Sequence, residues 1–148
     1  MEMRDLARFV EAQDRDGTWP RVLDELSLGT KRSHWMWFVF PQIAGLGLSA
    51  IAQFYAIRDL AEARAYLADP VLGPRLVEAT QAVLPWAQRR SLETIFGLLD
   101  AQKFVSSMTL FEAAGFETAG GDACFAEALD RFAHGQRDPR TLALLGQA

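Results

Sequence analysis

The feature that most constrains this chain is a set of apolar side chains that recur every three or four residues. The clearest example advances in steps of four, three, four and three through Leu72, Leu76, Ala79, Val83 and Trp86. An α-helix turns once in about 3.6 residues, so this spacing places all five side chains on one helical face. The pattern predicts a helix that buries one face against its neighbours and is interrupted just before Pro85.

Residues that start and stop helices divide the rest of the chain into similar segments. The predicted N-terminal caps are Thr18, Asp59, Asp69, Ser91, Asp100, Asp122 and Asp138. Each carries a side-chain oxygen that can accept a hydrogen bond from the first helical turn. Glycines are expected to end or separate the helices, at Gly17, Gly29, Gly115 and Gly120-Gly121.

Alternation of apolar and polar residues, the pattern typical of strands, is absent from nearly the whole chain. Only Trp37 to Phe40 could form a short strand. There is no internal repeat and no linker that would separate two domains. The sequence therefore predicts an all-α fold, a single compact multihelical domain over residues 1–148. We expect its helices to be short and to surround an aromatic-rich central segment.

Composition excludes several other classes of protein. Half of the 148 residues are hydrophobic and 23% are charged, which is typical of a folded domain rather than a disordered chain. The formal net charge is −4, so the chain lacks the positive field of a general nucleic-acid-binding protein. No uncharged apolar stretch has the length of a membrane span. We therefore expect neither nucleic acid nor a membrane as a partner.

The cysteine content and the N-terminal residues indicate a compartment. Cys124 is the only cysteine, so no disulfide can form within the chain. The first five residues carry charge where a secretion signal would be apolar. Both observations favour the reducing cytoplasm.

Two pairs of adjacent cations, Lys31-Arg32 and Arg89-Arg90, interrupt the acidic background. Neither pair is long enough to be interpreted as a binding tail. The simpler interpretation of each is a solvated face.

Few residues suit a metal or a cofactor. His34, His134 and Cys124 lie far apart and lack the paired spacing that is typical of zinc ligands. The segment Gly45-Leu46-Gly47 lacks the preceding strand and the helix-opening glycine of a phosphate-binding loop. We expect no metal and no cofactor, and we interpret Cys124 as a small core residue.

One segment is not explained by helix formation. Four aromatic residues and a methionine occur between Trp35 and Phe40, with Lys31 and His34 before them and Gln42 after them. Aromatic residues bury large areas, so the segment can be a central part of the core. Alternatively, aromatic walls with a few converging polar groups are typical of a ligand pocket. The burial of Trp35 and Trp37 distinguishes these interpretations.

Motifs across the chain resemble one bacterial family. They are Asp5-Leu6, Arg8-Phe9-Val10, Ala12-Gln13, Lys31, His34-Trp35-Met36-Trp37, Phe40-Pro41-Gln42, Tyr66-Leu67, Pro70-Val71-Leu72-Gly73, Ile95-Phe96-Gly97, Asp100, Lys103 and 106–111. The chain is identified as a member of the domain-of-unknown-function family 1810, which is sometimes labelled calpastatin-like. The resemblance implies a multihelical fold and no established activity. Calpastatin itself is a disordered inhibitor, and this aromatic-rich composition is the opposite of disorder.

The segment after Asp100 combines an apolar and a polar helical stripe. Phe104, Met108 and Phe111 form the apolar one, whereas the polar one contains Asp100, Lys103, Ser106 and Ser107. A polar stripe beside a core stripe is the geometry of a helix that lines a cleft. The simpler alternative is that Asp100 only caps the helix and that the serines donate hydrogen bonds to the preceding turn.

These observations lead to one main functional hypothesis. A small anionic ligand, for example a nucleotide-like one, would bind in a cleft between residues 31–42 and the helix over residues 100–107. The candidate ligand-binding residues are Lys31, His34, Trp37, Gln42, Asp100, Lys103, Ser106 and Ser107. Two alternatives stay open. One is a protein–protein interaction module without catalytic activity, and the other is a hydrolase or transferase that uses His34 and Asp100.

Overall fold

The periodic apolar segments form α-helices in the computed structural model, which describes residues 5–115 and 123–146. The helices are Ala7–Asp14 (α1), Thr18–Ser27 (α2), Met36–Val39 (α3), Ala50–Phe54 (α4), Leu60–Ala68 (α5), Leu72–Val83 (α6), Leu92–Phe96 (α7), Leu98–Gly115 (α8), Cys124–Phe132 (α9) and Pro139–Leu144 (α10). Short 3₁₀ turns cover Arg15–Gly17 and Leu84–Trp86. Residues 5–115 and 123–146 contain no strand, and an isolated β-bridge joins Ile43 to Ile57. The all-α prediction is confirmed.

The long helix α8 lies at the centre of the domain. It packs against α5, α7, α9 and α10, while α6 packs against α2, α5 and α9. Its buried side chains include Phe104, Met108 and Phe111, as the apolar stripe predicts. The stripe of α6 is also confirmed, because Leu72, Leu76, Ala79 and Val83 are all buried.

Several predicted helix starts are confirmed by hydrogen bonds. The side chains of Asp59, Ser91 and Asp138 each accept a hydrogen bond from a backbone N–H three residues later. Asp69 accepts from Val71 N and Leu72 N, but the N-cap of α6 is Val71, so this predicted start is wrong by two residues. After Val83 the chain continues as a 3₁₀ turn, as Pro85 predicts. The prediction of Asp122 as a cap and of a joint at Gly120-Gly121 lies outside the described residues.

Two other predicted caps are wrong, Thr18 by one residue and Asp100 by three. Thr18 lies inside α2, and the hydroxyl of Thr18 donates a hydrogen bond to Arg15 O. The N-cap of α2 is Gly17, which has the left-handed conformation. Helix α8 begins at Leu98, so Asp100 lies in its first turn instead of capping it. The carboxylate of Asp100 is bound by two lysines instead of the backbone of the first turn.

The predicted short strand over Trp37 to Phe40 is also wrong. The segment forms α3 and its C-cap Phe40, and the side chains of Met36, Val39 and Phe40 are buried. A strand would bury alternate residues, whereas this burial has the spacing of a helical turn. Four residues are too few for the two periods to be distinguished in the sequence.

The aromatic-rich segment joins the central helix through ring contacts. The ring of Phe40 meets those of Phe96 and Phe104 edge to face, at centroid distances of 6.0 and 5.0 Å. Phe96 and Phe104 stack at 5.1 Å. Such pairs add to the free energy that burial of the rings already supplies. Residues 35–40 are therefore held against α7 and α8.

We expect the substitution Phe104→Ala to lower the free energy of unfolding by about 3–5 kcal/mol, because it leaves a cavity among packed rings. Urea denaturation measures the loss. The substitution Leu98→Ala is the control, since Leu98 lies on the same helix and is 66% exposed. Its cost should stay within about 0.5 kcal/mol. Equal costs for the two variants would contradict the packing of α8.

Candidate functional site

A cluster of three charged side chains connects the aromatic-rich segment with α8. Lys31 Nζ lies 2.9 Å from Asp100 Oδ2, and Lys103 Nζ lies 3.3 Å from Asp100 Oδ1. The side chain of Lys31 is only 9% exposed, and those of Asp100 and Lys103 are 19% and 27% exposed. One half-buried carboxylate therefore binds two ammonium groups.

The two lysines also lie against tryptophan rings. Lys31 Nζ is 5.2 Å from the ring centroid of Trp35, and Lys103 Nζ is 5.4 Å from that of Trp37. The negative face of an indole ring attracts a cation at this distance. Trp35 is sealed in the core, at 1% exposure, whereas Trp37 is half-buried. The first ring thus belongs to the core, and the second lies beneath a cation at the surface.

The charges of this cluster do not cancel. Asp100 carries one negative charge, and Lys31 and Lys103 carry two positive charges. Partial burial weakens the screening of the remaining positive charge by solvent. An anion near Lys103 would therefore be attracted more strongly than an anion near a fully solvated lysine.

An open cleft of about 670 Å³ lies beside Lys103. Its polar walls come from α7, α8, the N-cap and first turn of α10, and the loop after α3. These polar lining residues are Gln42, Glu93, Gln102, Lys103, Ser106, Asp138 and Arg140. Its apolar lining residues are Leu46, Leu92, Leu99, Ala101, Val105, Phe132 and Ala133. The volume falls within the range of about 300–1,000 Å³ of small-molecule pockets.

The structure brings most, but not all, of the candidate residues together. Gln42, Lys103 and Ser106 line the cleft. Lys31, Trp37 and Asp100 do not line it but contact one another or Lys103, as described above.

His34 and Ser107 are placed differently. The side chain of His34 is exposed, and it makes no hydrogen bond or ion pair within the described part of the chain. Ser107 is fully buried, and its hydroxyl has no hydrogen-bond partner in that part of the chain. Neither residue lines the cleft. The polar stripe of α8 thus divides into a cleft side and a core side.

Asp138 and Arg140 line the cleft and are absent from the residues that the sequence predicts for it. Ser106 Oγ donates to Asp138 Oδ2 at 2.9 Å and also contacts Gln102 O at 3.1 Å. The same carboxylate oxygen accepts from Thr141 N and Thr141 Oγ1. The sequence identifies Asp138 as a helix cap, but no local pattern shows that it also faces α8.

The described residues contain no group of three or more His, Cys, Asp or Glu side chains that could hold a metal ion. Cys124 is buried in α9, as expected for a core residue. None of the helices described is both long and apolar enough to cross a bilayer.

A buried carboxylate, Glu25, holds the loop that carries Lys31. Its Oε1 accepts hydrogen bonds from Arg32 N, Ser33 N and Trp35 Nε1 at 2.7, 3.0 and 2.9 Å. Its Oε2 accepts from the hydroxyl of Ser33. Burial raises the pKa of this carboxyl, but the hydrogen bonds from Ser33, Arg32 and Trp35 together hold its pKa below the ordinary value of 4.5. The charged form of Glu25 thus fixes residues 32–35.

Fold and site together define the class: a multihelical all-α domain with one aromatic-rich segment and an open polar cleft against its central helix. The chain belongs to the family described as a protein of unknown function, DUF1810, whose model matches residues 3–145. It is similar to the conserved hypothetical protein Rv1873 from Mycobacterium tuberculosis, a solved structure. The two are 47% identical, the comparison covers 98% of this chain and 99% of that one, and the TM-score is 0.88. No curated protein matches.

We expect Asp100→Asn to lower the free energy of unfolding by about 2–3 kcal/mol, because it leaves two close ammonium groups without their carboxylate. Added salt should restore part of this loss by screening the repulsion. Urea denaturation at low and high sodium chloride measures both effects. The control is Glu127→Gln, which removes an exposed ion pair with Arg131 and should cost under about 1 kcal/mol. A salt-independent loss in Asp100→Asn would contradict the role of charge.

We expect Glu25 to stabilise the fold less as the pH falls. Its pKa is lowered in the folded state, so its contribution is complete above the unfolded pKa and disappears as the pH falls through the folded pKa. At neutral pH, Glu25→Gln should cost at least about 2 kcal/mol, because an amide cannot accept all four hydrogen bonds. Urea denaturation at neutral pH and well below pH 4.5 should show this cost shrinking with acid. If wild type and variant differed by the same free energy of unfolding at both pH values, the stabilising role of the charged form of Glu25 would be contradicted.

Proposed function

We propose that this protein binds a small anionic ligand in the cleft beside Lys103. The observation that carries the proposal is the sharing of one carboxylate, Asp100, by two lysines. The remaining positive charge lies next to a cleft of ligand size. An anion bound there would complete the charge balance of the cluster.

Arg140 is the second cation of the proposed site. It lines the cleft and makes no ion pair with a carboxylate among residues 5–115 and 123–146. Its planar guanidinium can donate two parallel hydrogen bonds to a carboxylate or a phosphate. Of the two acids in the lining, Asp138 accepts hydrogen bonds from Ser106 and Thr141 and Glu93 is exposed to solvent, and neither forms an ion pair with Lys103 or Arg140. The cations of the cleft are therefore available to an anion.

The remaining lining suits a ligand with an uncharged body, as in the nucleotide-like case. Half of the lining residues are apolar, and Gln42, Gln102 and Ser106 supply hydrogen-bonding groups. A few polar groups in an otherwise apolar wall orient a bound ligand and make the site specific for it.

Binding without catalysis is the function that the geometry supports better. Neither histidine lines the cleft, and Asp100 is held by two lysines. A hydrolase or transferase that uses His34 and Asp100 would need these groups to face one substrate. We also infer a cytoplasmic location from the single cysteine, and this directs the choice of ligands toward cytoplasmic metabolites.

The test is a thermal-shift screen against nucleoside monophosphates, sugar phosphates and dicarboxylates. A ligand at about 100 times its dissociation constant should stabilise the fold by about 2.7 kcal/mol. Titration calorimetry on Lys103→Gln and Arg140→Gln should then show about tenfold weaker binding for each, since each removes one charged contact. The control is Arg21→Gln, which removes an exposed positive charge outside the cleft lining. Unchanged affinity in both cleft variants would contradict the proposal.

A further inference from the structure

The two cation pairs that are far apart in the sequence lie on segments that are hydrogen-bonded to each other in the structure. Arg90 Nη1 donates to Gly29 O at 3.3 Å and to Thr30 Oγ1 at 3.1 Å. Lys31 N donates to Ile95 O at 2.7 Å. The loop before the aromatic-rich segment is thus attached through Gly29, Thr30 and Lys31, directly before Arg32, to the region from Arg90 to Ile95. We call Arg32, Arg89 and Arg90 the basic patch.

Trp86 holds two of these arginines in place. The guanidinium carbons of Arg89 and Arg90 lie 4.7 and 5.0 Å from the centroid of its ring. The indole itself is fixed, because its Nε1 donates to Leu26 O at 3.0 Å. Gly29 allows the ring to approach: it has φ of +68°, and a Cβ there would come within 2.7 Å of the indole. The two cations therefore stack on a ring that cannot easily move.

The third arginine is carried by a fixed loop. Glu25 accepts hydrogen bonds from the backbone N–H groups of Arg32 and Ser33, and from the side chains of Ser33 and Trp35. These bonds constrain the backbone and leave the exposed Arg32 side chain available. Groups that are fixed before binding lose less conformational entropy when a partner arrives.

No carboxylate of the described residues forms an ion pair with the basic patch. Leu28, which is 55% exposed, directly precedes Gly29, whose carbonyl accepts a hydrogen bond from Arg90. The surface thus combines arginines that lack acidic partners with one aliphatic contact point. The cleft lining contains none of these four residues.

We propose that the basic patch is a docking surface for a carboxylate-rich peptide segment of another protein, with an apolar residue of that segment on Leu28. The planar fork of arginine matches a carboxylate bidentately. A peptide supplies carboxylates and an aliphatic side chain together, whereas the backbone of a nucleic acid supplies only phosphates. The net charge of −4 also opposes a long polyanion that extends beyond three arginines.

The test measures the fluorescence anisotropy of a labelled, glutamate-rich peptide that contains one leucine. Wild-type protein should bind it saturably, and more weakly as salt rises. The double variant Arg32→Glu/Arg89→Glu should bind at least about tenfold more weakly, since each reversal replaces an attraction by a repulsion. Arg90 is retained because it attaches the loop. Circular dichroism and urea denaturation verify that the variant folds.

Matched variants separate the components of the proposal. Arg21→Glu introduces the same charge change outside the patch and should leave binding within about twofold of wild type. Leu28→Ser should weaken peptide binding and leave its salt dependence unchanged. Lys103→Gln and Arg140→Gln should bind the peptide normally, which keeps this surface distinct from the proposed ligand cleft.

Three outcomes would overturn the proposal. They are the absence of saturable peptide binding, equal binding by wild type and the folded double variant, and tighter binding of a single-stranded oligonucleotide than of the peptide at the same salt concentration. The last result would assign the basic patch to nucleic acid.

Discussion

The packing of Phe40 against Phe96 and Phe104 is the contact on which the rest of the structure depends. It joins the aromatic-rich segment to the central helix α8, although more than fifty residues separate the two in the sequence. The cluster of Lys31, Asp100 and Lys103 forms across this junction. Any change that separates these rings would also separate Lys31 from the carboxylate of Asp100, whereas Lys103 and Asp100 would stay together on α8.

Charge in this molecule is used in two different ways. Glu25 is a buried anion whose four hydrogen bonds are all local to one loop, and its role is to fix the backbone. The lysine cluster is the opposite case, because its charges do not cancel and the excess faces a cleft. The hydrogen-bonded charge of Glu25 stabilises a loop of the fold. The net positive charge of the lysine cluster instead favours binding of an external anion.

Much of the fold follows from patterns within a few residues of the chain. The helical stripes of α6 and α8, the caps at Asp59, Ser91 and Asp138, and the interruption near Pro85 all depend on neighbours three or four positions away. The errors occur where two local interpretations compete. Asp100 can cap a helix or bind a lysine, and both satisfy a carboxylate equally well. The sequence alone offers no preference between them.

The sequence by itself determines that this chain forms short helices around an apolar core, because helical periodicity and capping are local properties. Only the tertiary structure decides which polar residues meet. It places Lys31 on Asp100 and Arg90 on Thr30, directs Ser107 into the core, and leaves His34 at the surface. The physical reason is that such contacts depend on how whole helices pack, and packing is set by the combined shape of many side chains rather than by any one spacing.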